Sequence, residues 1–277
     1  MTCLEFLYKT AAGRIILRPL VSRPVSVLSG KFMDSGVSKA LIRSFVKRNG
    51  IRVEDYEVDD IRCFNDFFCR KIKDGLRPVS RDPVHLISPC DGLLSAYKIS
   101  SDTVLNVKQS EFTVSGLLRD DALASSFNGG YALVFRLCVD HYHRYIYFDS
   151  GRQRSNIKIK GIYHTVRPVA LEQYPVFIQN TREYSVIDTD SFGTAVQMEV
   201  GAMLVGRIVN ENQSSCSVSR GEEKGHFEYG GSTIILLIKK DAARIDEEYL
   251  NSSEVPVVMG QTIGSALPSC QVVKSQG

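Results

Sequence analysis

The chain has 277 residues, 43% of them hydrophobic and 23% charged, proportions that exclude a collagen-like, coiled-coil or wholly disordered protein. A chain of this length forms one large domain or two ordinary ones and buries about three-quarters of the surface that its unfolded form exposes. Seven cysteines (Cys3, Cys63, Cys69, Cys90, Cys138, Cys216 and Cys270) are an odd number with no C-x-x-C pair, which argues against a zinc ribbon or a secreted disulfide framework and for a reducing compartment.

The formal net charge of +3 is unevenly spread, because residues 1–50 hold nine Lys/Arg against only Glu5 and Asp34, a local +7 that leaves −4 for the remainder. Between Leu4 and Leu28 the short apolar runs, such as Ile15-Ile16-Leu17, are broken by Arg14, Arg18 and Arg23. A spanning helix needs about 20 mostly apolar residues, so none is expected. A signal peptide is disfavoured for want of an unbroken apolar stretch and a small-residue cleavage pattern. Two readings of this basic segment stay open: an amphipathic element lying on an anionic membrane, or helices packed on their own domain with arginines in water.

From Asp34 to Gly50 the positions Val37, Leu41, Ile42, Phe45 and Val46 recur with helical spacing, between the caps Asp34 and Ser35 and the stop Asn49-Gly50. A second helix is predicted near residues 65–73, with Phe64, Phe67, Phe68 and Ile72 on one face. After Pro83 the period changes to that of strands, predicted at 92–99, 103–107, 131–139, 145–148, 157–163, 183–187, 195–209 and 233–238. Strands joined by turns rather than helices favour antiparallel pairing. The expected class is α+β, with a helical region over residues 1–80 followed by a mainly antiparallel, β-rich catalytic body over 81–277. No phosphate-binding glycine loop appears, and the lack of Trp weakens a single-stranded nucleic-acid reading.

Three places could carry chemistry. Gly230-Gly231-Ser232-Thr233 leads into the apolar run Ile234–Ile238, placing Ser232 at a strand mouth, with glycines that leave the Gly231 carbonyl open to attack; an ordinary turn has the same composition. Ser88-Pro89-Cys90-Asp91-Gly92 could present Asp91 inward to orient a histidine, or be a solvated turn. In Asp140-His141-Tyr142-His143-Arg144-Tyr145 the two histidines are two apart and would share a face of a strand. No cysteine or carboxylate set nearby has the spacing of a metal motif, so no metal is expected, and the histidines are read as hydrogen-bonded strand residues or as acid/base catalysts.

Taken together these segments resemble the phosphatidylserine decarboxylase family, in particular its bacterial members. Phe64-Asn65-Asp66-Phe67-Phe68-Cys69-Arg70 with Gly75-Leu76-Arg77-Pro78 is similar to its FNDFF-x-R…G-x-RP segment. Ser88–Gly92 is similar to SPADG, Tyr142-His143-Arg144 to YHR, Val200-Gly201-Ala202 with Val205-Gly206 to VGA…VG, and Gly225-His226-Phe227 with Gly230–Thr233 to G-x-F…GGST. The resemblance implies a self-cleaving, pyruvoyl-dependent proenzyme. Ser232 would attack the Gly231 carbonyl, and the chain would split into a β chain of 1–231 and an α chain of 232–277 whose first residue becomes the pyruvoyl cofactor. Asp91 and His143 are the catalytic partners implied. Phosphatidylserine would form a Schiff base with that group, lose CO2 and leave as phosphatidylethanolamine, and no metal would take part.

The implied partners are phosphatidylserine in an anionic membrane and the two chains of the one precursor; a homodimer is compatible, a nucleic acid is not. The implied location is peripheral, on the cytoplasmic face of the cell membrane. Two departures qualify the likeness. Many members carry a further histidine three residues after that of YHR, where this chain has Ile146, so His143 would serve both reactions or share them with His164 or His141; and Cys90 replaces the usual alanine of SPADG. Three rival readings remain: a pyruvoyl decarboxylase of a soluble amino acid, a serine hydrolase that stays intact, and a non-catalytic lipid-binding module.

Overall fold

The computed structural model describes residues 2–100, 105–107, 110–203, 207–230 and 232–268. Thr103, Val205, Gly206, Gly231 and Cys270, on which some of the expectations above fall, lie outside the described residues.

The strands that build the site are β1 (Gly92–Lys98), β2 (Tyr131–Leu137), β3 (Arg144–Ile146), β4 (Arg182–Thr189), β5 (Thr194–Val200), β6 (Ile208–Asn210), β7 (Glu223–Phe227) and β8 (Ser232–Ile238). Beyond Thr233, β8 carries only aliphatic side chains, so both of its faces must be covered. It lies inside a nine-stranded antiparallel sheet with all seven of its residues buried. The sheet runs from Cys216–Val218 through Gly151–Gln153, β4, β5, β8, β2 and β1 to Val255–Val257, and Ile157–Ile159 also pairs with β4.

Alternation along these strands divides the core in two. Leu94, Leu133, Phe135, Leu137, Ile234 and Leu236 face a small sheet of order β6-β7-β3, from which Tyr145 and Phe227 pack against them. Ala132, Val134, Val196, Met198, Ile235 and Leu237 face the opposite way, toward N-terminal helices that contribute Leu7, Tyr8 and Leu17. Ser232 shares the parity of Ile234 and Leu236, so its side chain is directed to the β3–β7 side.

Four helices precede the body: α1 (Cys3–Lys9), α2 (Ala11–Leu20), α3 (Arg23–Met33) and α4 (Ala40–Asn49). Thr2 and Glu5 form a capping box on α1, and the Thr10 hydroxyl accepts from the Gly13 amide to start α2. The two helices meet so closely that a Cβ on Gly13 would stand 2.0 Å from the Phe6 carbonyl oxygen. The helix predicted from Asp34 begins instead with a 3-10 turn at Gly36–Lys39 and becomes α-helical only at Ala40; it stops where expected, at Gly50, with φ of 63°. The second predicted helix is shorter than its apolar spacing suggested: α5 (Phe64–Phe68) ends because Arg70 Nη1 donates to the Phe67 carbonyl at 3.0 Å and Lys71–Ile72 pairs with Tyr56–Glu57. The long strand predicted over 195–209 is two, β5 and β6, in different sheets. Among the described residues no helix is long and apolar enough to cross a membrane.

Candidate active site

Ser232 is the first residue of β8, where the register sets it opposite Leu137 of β2. It is fully buried, and its Oγ has no hydrogen-bond partner among the described residues. A buried hydroxyl without a partner costs about 1–3 kcal/mol, so it marks a place where something other than stability is served. The approach to the strand is unusual as well: Gly230 has φ of 127°, a region closed to residues with a Cβ.

His143 comes to the same place from another direction. It immediately precedes β3, and its carbonyl accepts from the Phe227 amide at 3.0 Å, tying it to the strand that leads on to Gly230. The ring is buried against Phe68 of α5, with centroids 4.1 Å apart. Its Nδ1 lies 2.9 Å from the His141 carbonyl oxygen. A carbonyl can only accept, so Nδ1 carries the proton and Nε2 presents a lone pair. That Nε2 is buried and has no hydrogen-bond partner among the described residues, while the Gly230 backbone lies beside the ring. Burial pushes the His143 pKa down to about 3; the His141 and Gly230 carbonyls work against this, and the neighbouring His141 and Arg70 add to it. At neutral pH the imidazole is therefore a free base.

His141 and His143 do not share a strand face. They lie in the turn between β2 and β3, closed by the His141 amide donating to the Cys138 carbonyl at 3.0 Å. The Cys138 amide donates to His141 Nδ1 at 3.1 Å, so this ring carries its proton on Nε2, the reverse of His143. Burial lowers the His141 pKa, and the charges of Asp140 and Asp91 partly restore it.

Asp91 is buried, as its place in the turn suggested, but its nearest partner is not a histidine. Arg77 grips it with two bonds, Nε to Oδ1 at 2.8 Å and Nη2 to Oδ2 at 2.6 Å, and the Met259 amide donates to Oδ1 at 2.8 Å. Arg77 belongs to the G-x-RP segment, whose function composition alone does not reveal. His164 has other partners: its Nδ1 pairs with the Tyr8 hydroxyl of α1 at 3.1 Å, and its ring stacks on Tyr174 at 4.5 Å. Ile146 packs in the core on the β3 side. Cys138, Asp140 and His141 offer ligand atoms within 4.8 Å of one another, as do Glu211, Glu223 and His226; in the first group the Cys138 amide already occupies His141 Nδ1.

A cavity of about 520 Å³ opens on Gly230 and Tyr229, walled by Leu137, Cys138, Val139 and Asp140 on one side and by Thr165, Val166, Arg167, Pro168 and Met203 on the other. Leu4 of α1 and Asn49 of α4 complete its rim, so its mouth lies where the helices meet the body.

One feature near the site escaped the sequence reading. Lys224 and Glu199, both with fully buried side chains, pair at 2.8 Å. Asn210 joins them, accepting from Lys224 at 3.2 Å and donating to Glu199 at 3.2 Å and to Glu183 at 2.9 Å. Glu199 lies across from Ile234 on β8, two residues beyond Ser232. No signal in the sequence points to it, because Glu223-Lys224-Gly225-His226-Phe227 has the polar composition of an exposed strand.

The family model for phosphatidylserine decarboxylase matches residues 64–265. The chain belongs to the phosphatidylserine decarboxylase family. It is 41% identical over 266 residues to a protein named phosphatidylserine decarboxylase proenzyme 2 from Clostridium acetobutylicum, covering 94% of this chain and 91% of the relative. A phosphatidylserine decarboxylase proenzyme from Ruminiclostridium cellulolyticum is 40% identical over 273 residues, covering 95% and 91%. One from Clostridium perfringens is 38% identical over 266 residues, covering 93% and 90%. The matched span takes in α5, Asp91, His143 and Ser232, and with them every segment on which the resemblance was drawn.

Proposed function

We propose that this member of the family is a proenzyme that cleaves itself between Gly231 and Ser232 and then decarboxylates phosphatidylserine to phosphatidylethanolamine and CO2. The observation that carries this reading is the pair of buried atoms, Ser232 Oγ and His143 Nε2, that have no hydrogen-bond partner among the described residues, the His143 ring lying beside the Gly230 backbone two residues before Ser232. One is a proton donor and the other a lone pair. His143 Nε2 takes the proton as Oγ attacks the Gly231 carbonyl carbon; the Gly231–Ser232 C–N bond breaks and an ester forms. Loss of the Ser232 α-proton expels Gly231 as a carboxylate and leaves dehydroalanine, which water converts to a pyruvoyl group and ammonia.

The residues present suit that group: the Ser232 hydroxyl has no hydrogen-bond partner among the described residues, and Gly230, two residues before it, lines a cavity of about 520 Å³. A pyruvoyl group there would supply an electrophilic carbonyl for a substrate amine and a sink for the electron pair that CO2 leaves behind. His143, neutral and beside the Gly230 backbone, would exchange a proton with the substrate, and its ring is buried against Phe68. Asp91, clamped by Arg77 and charged toward His141, acts on the site through that second imidazole.

Docking on the cytoplasmic face of the membrane is supported by the outer faces of the N-terminal helices. Ile15, Leu28 and Val37 are 70%, 69% and 75% exposed, and Arg14, Arg18, Arg23 and Lys31 lie among them in the sequence.

Denaturing mass spectrometry tests the reading. Purified protein is expected as two fragments, the smaller starting at position 232 with a pyruvoyl end, and Ser232→Ala as one chain. A single intact wild-type chain that is nonetheless active would overturn it, and CO2 release from free amino acids but not from phosphatidylserine would move the substrate to the soluble class.

A further inference from the structure

The wall of the cavity at Gly230 holds two arginines that differ in what they already bind. Arg136 is committed: its Nε donates to Glu254 at 2.6 Å and its Nη1 lies 3.2 Å from Cys138 Sγ. Arg167 is not. Its side chain is exposed, lines the cavity, and has no ion pair or side-chain hydrogen bond among the described residues. Its charge reaches the Tyr229 hydroxyl, one residue before Gly230, and Tyr229 and Gly230 line the same cavity. Its backbone is fixed by the Thr165 hydroxyl, which accepts from the Arg167 amide at 3.4 Å, and by Pro168 opening the next helical turn.

We propose that Arg167 is the residue that recognises the phosphodiester of the substrate. This rests on the phosphatidylserine reading above and adds to it the group that reads the headgroup. In phosphatidylserine the phosphorus is four bonds from the reacting amine, so a headgroup whose amine reaches position 232 carries its phosphate back toward the rim. A guanidinium fork there offers two parallel donors to two phosphate oxygens. The cavity's apolar rim residues Leu4, Met203 and Pro168 border the same opening and suit the start of the glycerol and acyl chains. Asp140, on the opposite wall, would repel a phosphate displaced to that side.

The experiment uses full-length, processed protein and dihexanoyl phosphatidylserine below its critical micelle concentration, so that no lipid surface contributes. Arg167→Gln is expected to raise KM roughly ten- to hundredfold with kcat within about twofold, the loss typical of a charge-assisted bond to substrate. Arg167→Lys should recover part of this loss. Arg48→Gln removes an equal charge on a residue that also reaches Tyr229 but does not line the cavity, and is expected to leave KM unchanged. An unchanged KM in Arg167→Gln, a loss in kcat alone, or an equal rise in Arg48→Gln would each overturn the assignment while leaving the decarboxylase reading standing. Wild-type protein that releases no CO2 from this lipid would remove both. A defect of Arg167→Gln seen on vesicles but not on the monomeric lipid would assign the residue to membrane surface charge and also overturn it.

Discussion

Among the described residues His143 and Ser232 each leave a polar atom buried and without a partner, and the His143 ring lies beside Gly230, two residues before Ser232. A protein optimised for stability alone would pair them or replace them, since each orphan costs about 1–3 kcal/mol. The protonation of His143 also gives a kinetic signature. With its pKa near 3 the ring is a free base throughout the working range, so self-cleavage from pH 5 to 8 should lack the inflection near 6.5 that an exposed histidine base would give. Following fragment appearance in newly made precursor checks this, and a sigmoid rise centred near pH 6.5 would assign the proton transfer to another group. His143→Gln, which keeps a polar side chain but removes the basic nitrogen, is expected to slow scission about 10²- to 10⁴-fold.

At the level of elements, the sheet was legible where the sequence had one consistent message. The Ile234–Ile238 run reads as an interior strand because any other placement would expose aliphatic side chains, and that strand is the centre of the sheet. Other elements were misread because contacts distant in sequence decide them. Their two-residue spacing suggested that His141 and His143 would share a face of a strand, yet the segment turns, held by Phe227 and by the ring of Phe68 some 75 residues earlier in the chain. The clamp of Arg77 on Asp91 and the pairing of Lys224 with Glu199 join residues 14 and 25 apart, and no local pattern predicts either.

The second pair gives a stability prediction. Glu199→Gln leaves a fully buried lysine without its counter-charge and should cost about 3–5 kcal/mol by denaturant unfolding, whereas exchanging both residues for apolar ones of similar size should cost far less. The helices call for a correspondingly narrow test of docking. Leu7, Tyr8 and Leu17 are part of the core, so removing the first 30 residues would damage the body as well as any membrane face. Ile15→Ser with Leu28→Ser, both on the exposed side, is expected to weaken binding to anionic vesicles several-fold and leave self-cleavage intact, measured by vesicle sedimentation and by fragment yield.

Over the whole molecule, burial holds several histidines neutral: His143 near pH 3, and His164 and His226 near 4. The unfolded chain takes up these protons near pH 6.5, the folded chain only well below it, so stability is full above about 6.5 and falls as pH drops toward 4. Asp149, Glu199 and Glu228, whose pKa values burial raises, bind protons more readily when folded and oppose the trend. The net slope should therefore be positive but shallower than three protons, a result that denaturant midpoints between pH 4 and 8 would show. The position of Ser232 has a further consequence. Scission there would free the end of a strand laddered on both sides, to β5 and to β2, so the 46-residue piece from 232 to 277 would stay threaded through its parent while having no covalent tie to it. Once unthreaded by heat or denaturant, the two pieces could reunite only by collision: recovery would become second order, failing on dilution, and each mature molecule would in effect fold a single time, before it is cut.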